Sequence, residues 1–160
     1  MKVLDLGIMP GQQSILTFHA LARQGFEGLV IVSPETPLVS IGYFQDAAKE
    51  IDIDNVRSLN IPFMRREVGG GATYLDRSQI FYQVIWNRNN PAFPQNIREI
   101  LRFLSSAPIE TYNSFGIKTK FHGENDIVTM DGRKIAGEAG GDIENSMVFV
   151  GGRLTSFVEV

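Results

Sequence analysis

The amino-acid sequence predicts an α+β fold: a largely antiparallel or mixed β-sheet with helices packed on it. Three observations carry this prediction. Apolar residues recur at helical spacing around residues 14–24 and 96–104. Several short runs rich in Val, Ile, Phe and Tyr are bounded by Gly, Pro and Asp. From Ile117 onward the pattern becomes strands joined by tight turns. The chain has 160 residues, 43% of them hydrophobic, so it is long enough to bury a real core as one domain over residues 1–160.

Lys2–Leu6 alternates and reads as a short strand. Ser14 is placed to cap a helix running to about Gln24, with Ile15, Phe18, Leu21 and Ala22 on one face and Gly25 ending it. Leu29–Val32 and Leu38–Phe44 are strand candidates, joined through Pro34-Glu35-Thr36-Pro37 as a hairpin or a tight corner. Ala47–Leu59 is polar and helix-like, and Pro62–Arg66 is short and extended. Ile80–Trp86 (IFYQVIW) is a strand. A loop then leads to a helix over Asn96–Leu104, which Pro108 separates from a second helical piece, Ile109–Phe115. Asp126–Met130 and Arg133–Glu138 pair across Asp131-Gly132, a turn whose backbone matches strand twist. Ser146–Val150 and Arg153–Val160 read as a further hairpin around Gly151-Gly152.

Composition removes several function classes. The net charge is −3, and no Lys/Arg run forms a tail, so nucleic acid is not an expected partner. The 160 residues contain no cysteine, which rules out a disulfide scaffold, a thiolate metal site or a thiol nucleophile within them. With His19 and His122 the only histidines, no histidine-built metal site is expected. No segment has the length of a membrane span and the N-terminus lacks a signal-peptide core, so the expected location is the cytoplasm.

Two strings carry chemistry. The first is Arg65-Arg66-Glu67-Val68-Gly69-Gly70-Gly71-Ala72, followed by Tyr74 and Asp76. Three consecutive glycines cost more backbone entropy than a plain turn requires. What they provide is access: without Cβ atoms, backbone N–H groups can converge on an anion or a carbonyl oxygen. Two arginines beside them can fork onto phosphate oxygens. The alternative is a hairpin tip with solvated arginines. There is no GKS or GKT as in a P-loop, and no GxGxxG. Little apolar anchoring is visible between Arg66 and Tyr74, so a mobile loop is expected. The second string is Asn125-Asp126-Ile127 followed by Gly132-Arg133-Lys134-Ile135-Ala136-Gly137. Lys134 alone is more simply a solvated hairpin lysine.

Together the two strings resemble the active-site segments of the lipoate–protein ligase A family, in the biotin/lipoate ligase superfamily. Arg65, Arg66, Gly69, Gly70, Gly71, Ala72, Tyr74 and Asp76 stand in register with a motif close to RRxSGGGAVYHD, and Lys134 matches the family's essential lysine. Val39–Gln45 is similar to an early SIGxxQ segment. The chain departs at Val68, at Thr73 and at Leu75, the last standing where the family usually has His, and no histidine follows Gly140-Gly141.

The resemblance implies a biotin/lipoate-ligase type of catalytic domain, Lys134 as catalytic residue, and binding through Arg65, Arg66, Gly69, Gly70, Gly71, Ala72, Tyr74, Asn125, Asp126 and Gly137. It implies lipoate or octanoate as substrate, ATP with Mg2+, and no metal held by the protein alone. The implied reaction forms an acyl-adenylate and passes the acyl group to a lysine of a lipoyl acceptor domain, of the glycine cleavage H protein or 2-oxoacid dehydrogenase E2 type. An ammonium fixed between α-phosphate and acyl carbonyl would stabilise the charge both gather. Other readings are octanoyl or lipoyl transfer without ATP, or a non-catalytic relative or subunit of a split ligase with a separate C-terminal accessory subunit. Transferring relatives often use a cysteine acyl carrier, which these residues lack. The chain ends at Val160, in what reads as a strand, earlier than the family's catalytic domain does.

Overall fold

The computed structural model describes residues 1–155, apart from the Leu154 side chain. The strands are β1 (Lys2–Met9), β2 (Gly28–Pro34), β3 (Leu38–Ile41), β4 (Phe63–Arg65), β5 (Thr73–Leu75), β6 (Gln79–Asn87), β7 (Thr119–His122), β8 (Asp126–Thr129), β9 (Lys134–Ile143) and β10 (Ser146–Leu154). The helices are α1 (Gly11–Arg23), α2 (Ala47–Glu50), α3 (Ile53–Ser58), α4 (Ile97–Leu104) and α5 (Ser106–Ser114).

Among the described residues, one sheet has seven strands in the order β1-β2-β6-β10-β9-β8-β7. β1 is parallel to β2, and the other neighbouring pairs are antiparallel. A smaller sheet has the order β4-β3-β5, with β3 parallel to β4 and antiparallel to β5. The expected mixed, mostly antiparallel sheet with packed helices is the fold observed.

The period-2 alternation of β6 sorts two cores onto opposite faces. Phe81 and Ile85 pack with Ile15, Phe18 and Ala22 of α1, and with Leu38, Val68 and Leu75 from the small sheet and its glycine loop. Val84 and Trp86 pack with Ile100 and Leu101 of α4 and with Met147 and Phe149 of β10. Burying a side chain such as Phe18 or Phe149 contributes about 2–3 kcal/mol. The small sheet and α1 therefore share one face of the large sheet, and α4 lies on the other.

Several boundaries differ from the sequence reading, each for a local reason. Helix α1 begins at Gly11, with Pro10 as its cap residue, while the Ser14 hydroxyl donates to Gly11 O at 2.6 Å from inside the first turn. The predicted helix 47–59 is two pieces: Asp46 and Asp52 each accept an N-terminal amide, and Ile51 between them is extended. The link through Pro34–Pro37 is a corner, because β2 and β3 belong to different sheets, and β3 stops at Ile41. Pro108 lies in the first turn of α5 rather than breaking a helix, since a first-turn residue needs no N–H donor. Asp131-Gly132 is a turn as read, with Gly132 at φ 91°.

Gly151-Gly152 is not a turn. The turn lies at Glu144-Asn145, and β10 runs straight through both glycines. A Cβ at Gly151 would lie 2.1 Å from the Tyr82 ring, and one at Gly152 would lie 2.8 Å from the Phe81 ring. These glycines make room for two aromatic side chains of the neighbouring strand. The reading of a strand to Val160 extends beyond the described residues.

Candidate active site

A cavity of about 340 Å³ lies between the small sheet with α1 and the large sheet. Its walls are mostly apolar, from Ile15 and Phe18 of α1, Leu75 of β5, Phe81 of β6, Ala139 of β9 and Val150 of β10. Its polar boundary comes from Gly70, Gly71, Ala72 and Thr73 on one side and Asn125, Lys134 and Gly137 on the other. The sheet register places Phe81, Gly152 and Gly137 in one row, and Gln83, Val150 and Ala139 in the next. The floor thus crosses three strands, about 10 Å at ordinary strand spacing.

The glycine loop is held by Arg66, which is 4% exposed. Its Nε and Nη2 both donate to Gly69 O, Nη2 also to Gly71 O at 2.8 Å, and Nη1 to Ser40 O at 3.1 Å and to Ser40 Oγ. Burial pulls its pKa down to about 10, so the guanidinium stays charged at neutral pH. Arg65 Nη1 donates to the carbonyls of Gly42, Tyr43 and Gln45. Arg66 thus spends all its guanidinium nitrogens on backbone carbonyls, where a fork onto phosphate was expected, while Arg65 uses Nη1 for its carbonyls. The loop is also anchored where the sequence reading expected little anchoring. Val68 is 1% exposed, its carbonyl accepts Tyr43 N–H at 3.0 Å, and Gly69 N–H donates to Gly140 O at 3.2 Å.

Lys134 opens β9 beside a register shift. One step on β8, from Val128 to Ile127, faces two on β9, from Lys134 to Ala136. That extra residue puts Lys134 on the same face as Gly137, and a Cβ on Gly137 would lie 3.3 Å from Nζ. The space above Gly137, a residue the resemblance assigns to binding, is taken by the lysine's own ammonium. Nζ lies 2.7 Å from Asp126 Oδ1, without hydrogen-bond alignment, and the lysine side chain is 56% exposed. Asn125 is fixed by two backbone contacts: its Nδ2 donates to Glu138 O and its carbonyl accepts Glu138 N–H, each at 2.8 Å.

Of the residues singled out from sequence, Arg66, Gly70, Gly71, Ala72, Tyr74, Asn125, Lys134 and Gly137 border this one cavity, although the whole of segment 77–124 separates the two strings. Arg65, Gly69 and Asp126 do not border it, and act through Gly42, Gly140 and Lys134 respectively. The sequence reading missed the walls. Ser40, Gln79 and Gln83 also line the cavity, and the signal for two of them was the Gln-x-Phe-x-Gln alternation of β6 on an otherwise apolar face.

Behind β9, on the face of α4, Glu138 is buried. It accepts hydrogen bonds from Ser105 Oγ and, at 2.6 Å, from Tyr82 OH, and lies 3.6 Å from Arg153 Nη2. Burial pushes the Glu138 carboxyl up, against the pull of Ser105, Tyr82 and Arg153. Among the described residues no group of three or more His, Cys, Asp or Glu could hold a metal ion. No helix among them is long and apolar enough to cross a membrane.

Fold and site define a class: an α+β domain whose apolar cavity is bounded by a glycine loop and a lysine-bearing hairpin. The family model for the lipoyl protein ligase A/B catalytic domain matches residues 12–158, and the chain belongs to that family. It is 35% identical over 128 residues to the octanoyltransferase LipM of Geobacillus kaustophilus, covering 75% of this chain and 45% of the relative. The chain thus spans less than half the length of that relative. Among solved structures, it superposes on an archaeal bipartite lipoate protein ligase from Thermoplasma acidophilum with a TM-score of 0.80 and 25% identity, covering 96% of this chain and 60% of the other. It also superposes on a lipoate-protein ligase A bound with ATP, with a TM-score of 0.80 and 24% identity, covering 96% and 66%; at that identity the likeness is one of fold.

Proposed function

We propose that this chain binds a medium-length acyl group, octanoyl or lipoyl, and takes part in its transfer to the lysine of a lipoyl acceptor domain, from an acyl thioester and without ATP. The observation that carries the reading is the apolar cavity with the half-exposed Lys134 at its edge. The name of the Geobacillus relative supports transfer rather than ATP-driven ligation. The acceptor amine attacks the thioester carbonyl, the C–S bond breaks, the thiol leaves with the proton lost by the amine, and an amide remains. Negative charge gathers on the carbonyl oxygen at the tetrahedral stage, where the Lys134 ammonium stabilises it. No cysteine occurs in the 160 residues, so no thioester forms within them, and the step is written as direct passage to the amine. Such a reaction belongs in the cytoplasm, with the acyl carriers that feed it.

The second reading is ATP-dependent activation to an acyl-adenylate, with Mg2+ accompanying the phosphates. It is favoured by the open approach to Gly71, where nothing lies within 4 Å of a built Cβ. Phosphates would meet the Gly70–Ala72 backbone and Lys134. Arg66 fits this role poorly, because its Nε, Nη1 and Nη2 already hold carbonyls. In either reading a separate accessory chain is a candidate partner, by analogy with the bipartite Thermoplasma ligase.

Incubation with an octanoyl-carrier thioester and a lipoyl acceptor domain, read by mass spectrometry of the acceptor, tests the proposal. Acceptor acylated without ATP supports it. Acylation that requires octanoate, ATP and Mg2+ and releases pyrophosphate replaces it with ligation. Octanoate binding with no transfer under either condition leaves an acyl-binding subunit.

A further inference from the structure

One buried titratable group outside the cavity touches the root of the glycine loop. His19 of α1 is 5% exposed, and its Nε2 accepts the Glu67 N–H at 3.1 Å. A nitrogen that accepts carries no proton, so the neutral ring holds its proton on Nδ1. Nδ1 lies 3.8 Å from Glu67 Oε1. Arg23, one turn along α1, grips both Glu67 carboxylate oxygens at 2.8 Å and reaches Glu144 of the β9–β10 turn at 3.5 Å. The Phe18 ring stands edge-on to the imidazole, with centroids 4.3 Å apart. The charged groups around His19 are therefore Glu67 from the loop and Arg23 from its own helix, with Glu144 behind Arg23.

We propose that His19 is a positioning residue for the glycine loop: its unprotonated Nε2 holds the Glu67 amide, and protonation at Nε2 releases the loop at its root. An imidazolium has donors at both nitrogens, so N–H would face N–H in a buried setting. Glu67 is followed directly by Val68 and the three glycines, so the released segment leads straight into the cavity boundary.

Burial holds the His19 pKa below its ordinary value of 6.5, opposed by the Glu67 carboxylate and aided by Arg23. The latch is therefore closed at neutral pH and opens as pH falls below the ordinary histidine range. The unfolded chain takes up this proton first, so stability falls with pH from about 6.5 down to the folded-state value. The inference goes beyond the acyl-transfer reading and does not rest on it, because loop order is measured without substrate.

The test is amide hydrogen exchange by NMR on the full chain, from about pH 7.5 to about pH 5, with each rate divided by its intrinsic value. In the wild type, protection at Glu67 should fall about tenfold as pH drops, the loss of one hydrogen bond. His19→Gln places an amide oxygen near the position of Nε2 and does not titrate, so its profile should be flat. A flat wild-type profile, or an equal fall in His19→Gln, overturns the proposal. Should the variant fail to fold, the 15N shifts of wild-type His19 decide: an unprotonated Nε2 at neutral pH upholds the latch, and an Nε2–H tautomer sinks it.

Discussion

The glycine loop and the lysine hairpin face each other across one cavity, yet they spend their charge in opposite ways. The loop's charge is turned inward. Arg66 is 4% exposed, and its guanidinium hydrogen bonds go to loop carbonyls and to Ser40. The hairpin's charge is turned outward, with Lys134 56% exposed and touching a single carboxylate. The difference shows how motif residues of one site divide their work. A guanidinium, with five donors in a fixed plane, suits the shaping of a backbone, while a lone ammonium on a flexible stem is left to meet a ligand.

Substitution of the two cations should separate these roles. Arg66→Met takes the guanidinium donors from the carbonyls of Gly69, Gly71 and Ser40, the last still bonded by the Thr73 hydroxyl, and should cost about 3–5 kcal/mol of stability. Urea unfolding measures it, and a loss below about 1 kcal/mol would show that the guanidinium is no scaffold. Arg66→Lys should recover little, because one ammonium cannot reach three carbonyls in different directions. Lys134→Ala should behave inversely. Acyl transfer should fall by about a hundredfold or more, some 3 kcal/mol of transition-state stabilisation. Its stability should fall by no more than about 1 kcal/mol, since the lysine is half-exposed, although the Asp126 oxygen it meets is buried. Unchanged transfer by Lys134→Ala would remove the lysine from the chemistry.

The same comparison explains what was legible in the sequence. The two strings could be recognised because their meaning is local: glycine where backbone must come close, lysine beside a Gly-bounded turn. Their meeting could not be derived from spacing, because β9 joins the sheet beside β10, and β10 was read as broken at Gly151-Gly152. Glycine in a strand that clears space for an aromatic neighbour looks the same, one strand at a time, as glycine in a turn. Only the pairing of Gly151 with Tyr82 and of Gly152 with Phe81 tells the two apart. Val68 misled for a related reason. It stands out in the sequence as a departure from the motif, yet its burial in one cluster with Phe18 and Leu75 helps tie the loop down. The direction in which Arg66 points was also hidden, since arginine next to glycine fits an anion site and a carbonyl clamp equally well.

Within the loop itself, two adjacent glycines offer the finest test. Gly70 sits at φ 90°, and a Cβ there would lie 2.7 Å from Arg66 Nη2 and 3.1 Å from the Ala139 Cβ. Gly70→Ala should therefore cost about 1–2 kcal/mol, in backbone strain and displaced guanidinium. Gly71 borders the cavity but has nothing within 4 Å of its Cβ position and no positive φ. Gly71→Ala should leave stability within about 0.5 kcal/mol of wild type. If the glycines provide access, this methyl group should still weaken octanoate or lipoate binding, by a few-fold in Kd by calorimetry. Gly71→Ala binding as tightly as wild type would mean that the acyl group lies deeper, along the Phe81–Val150 floor, and that the third glycine serves only the backbone.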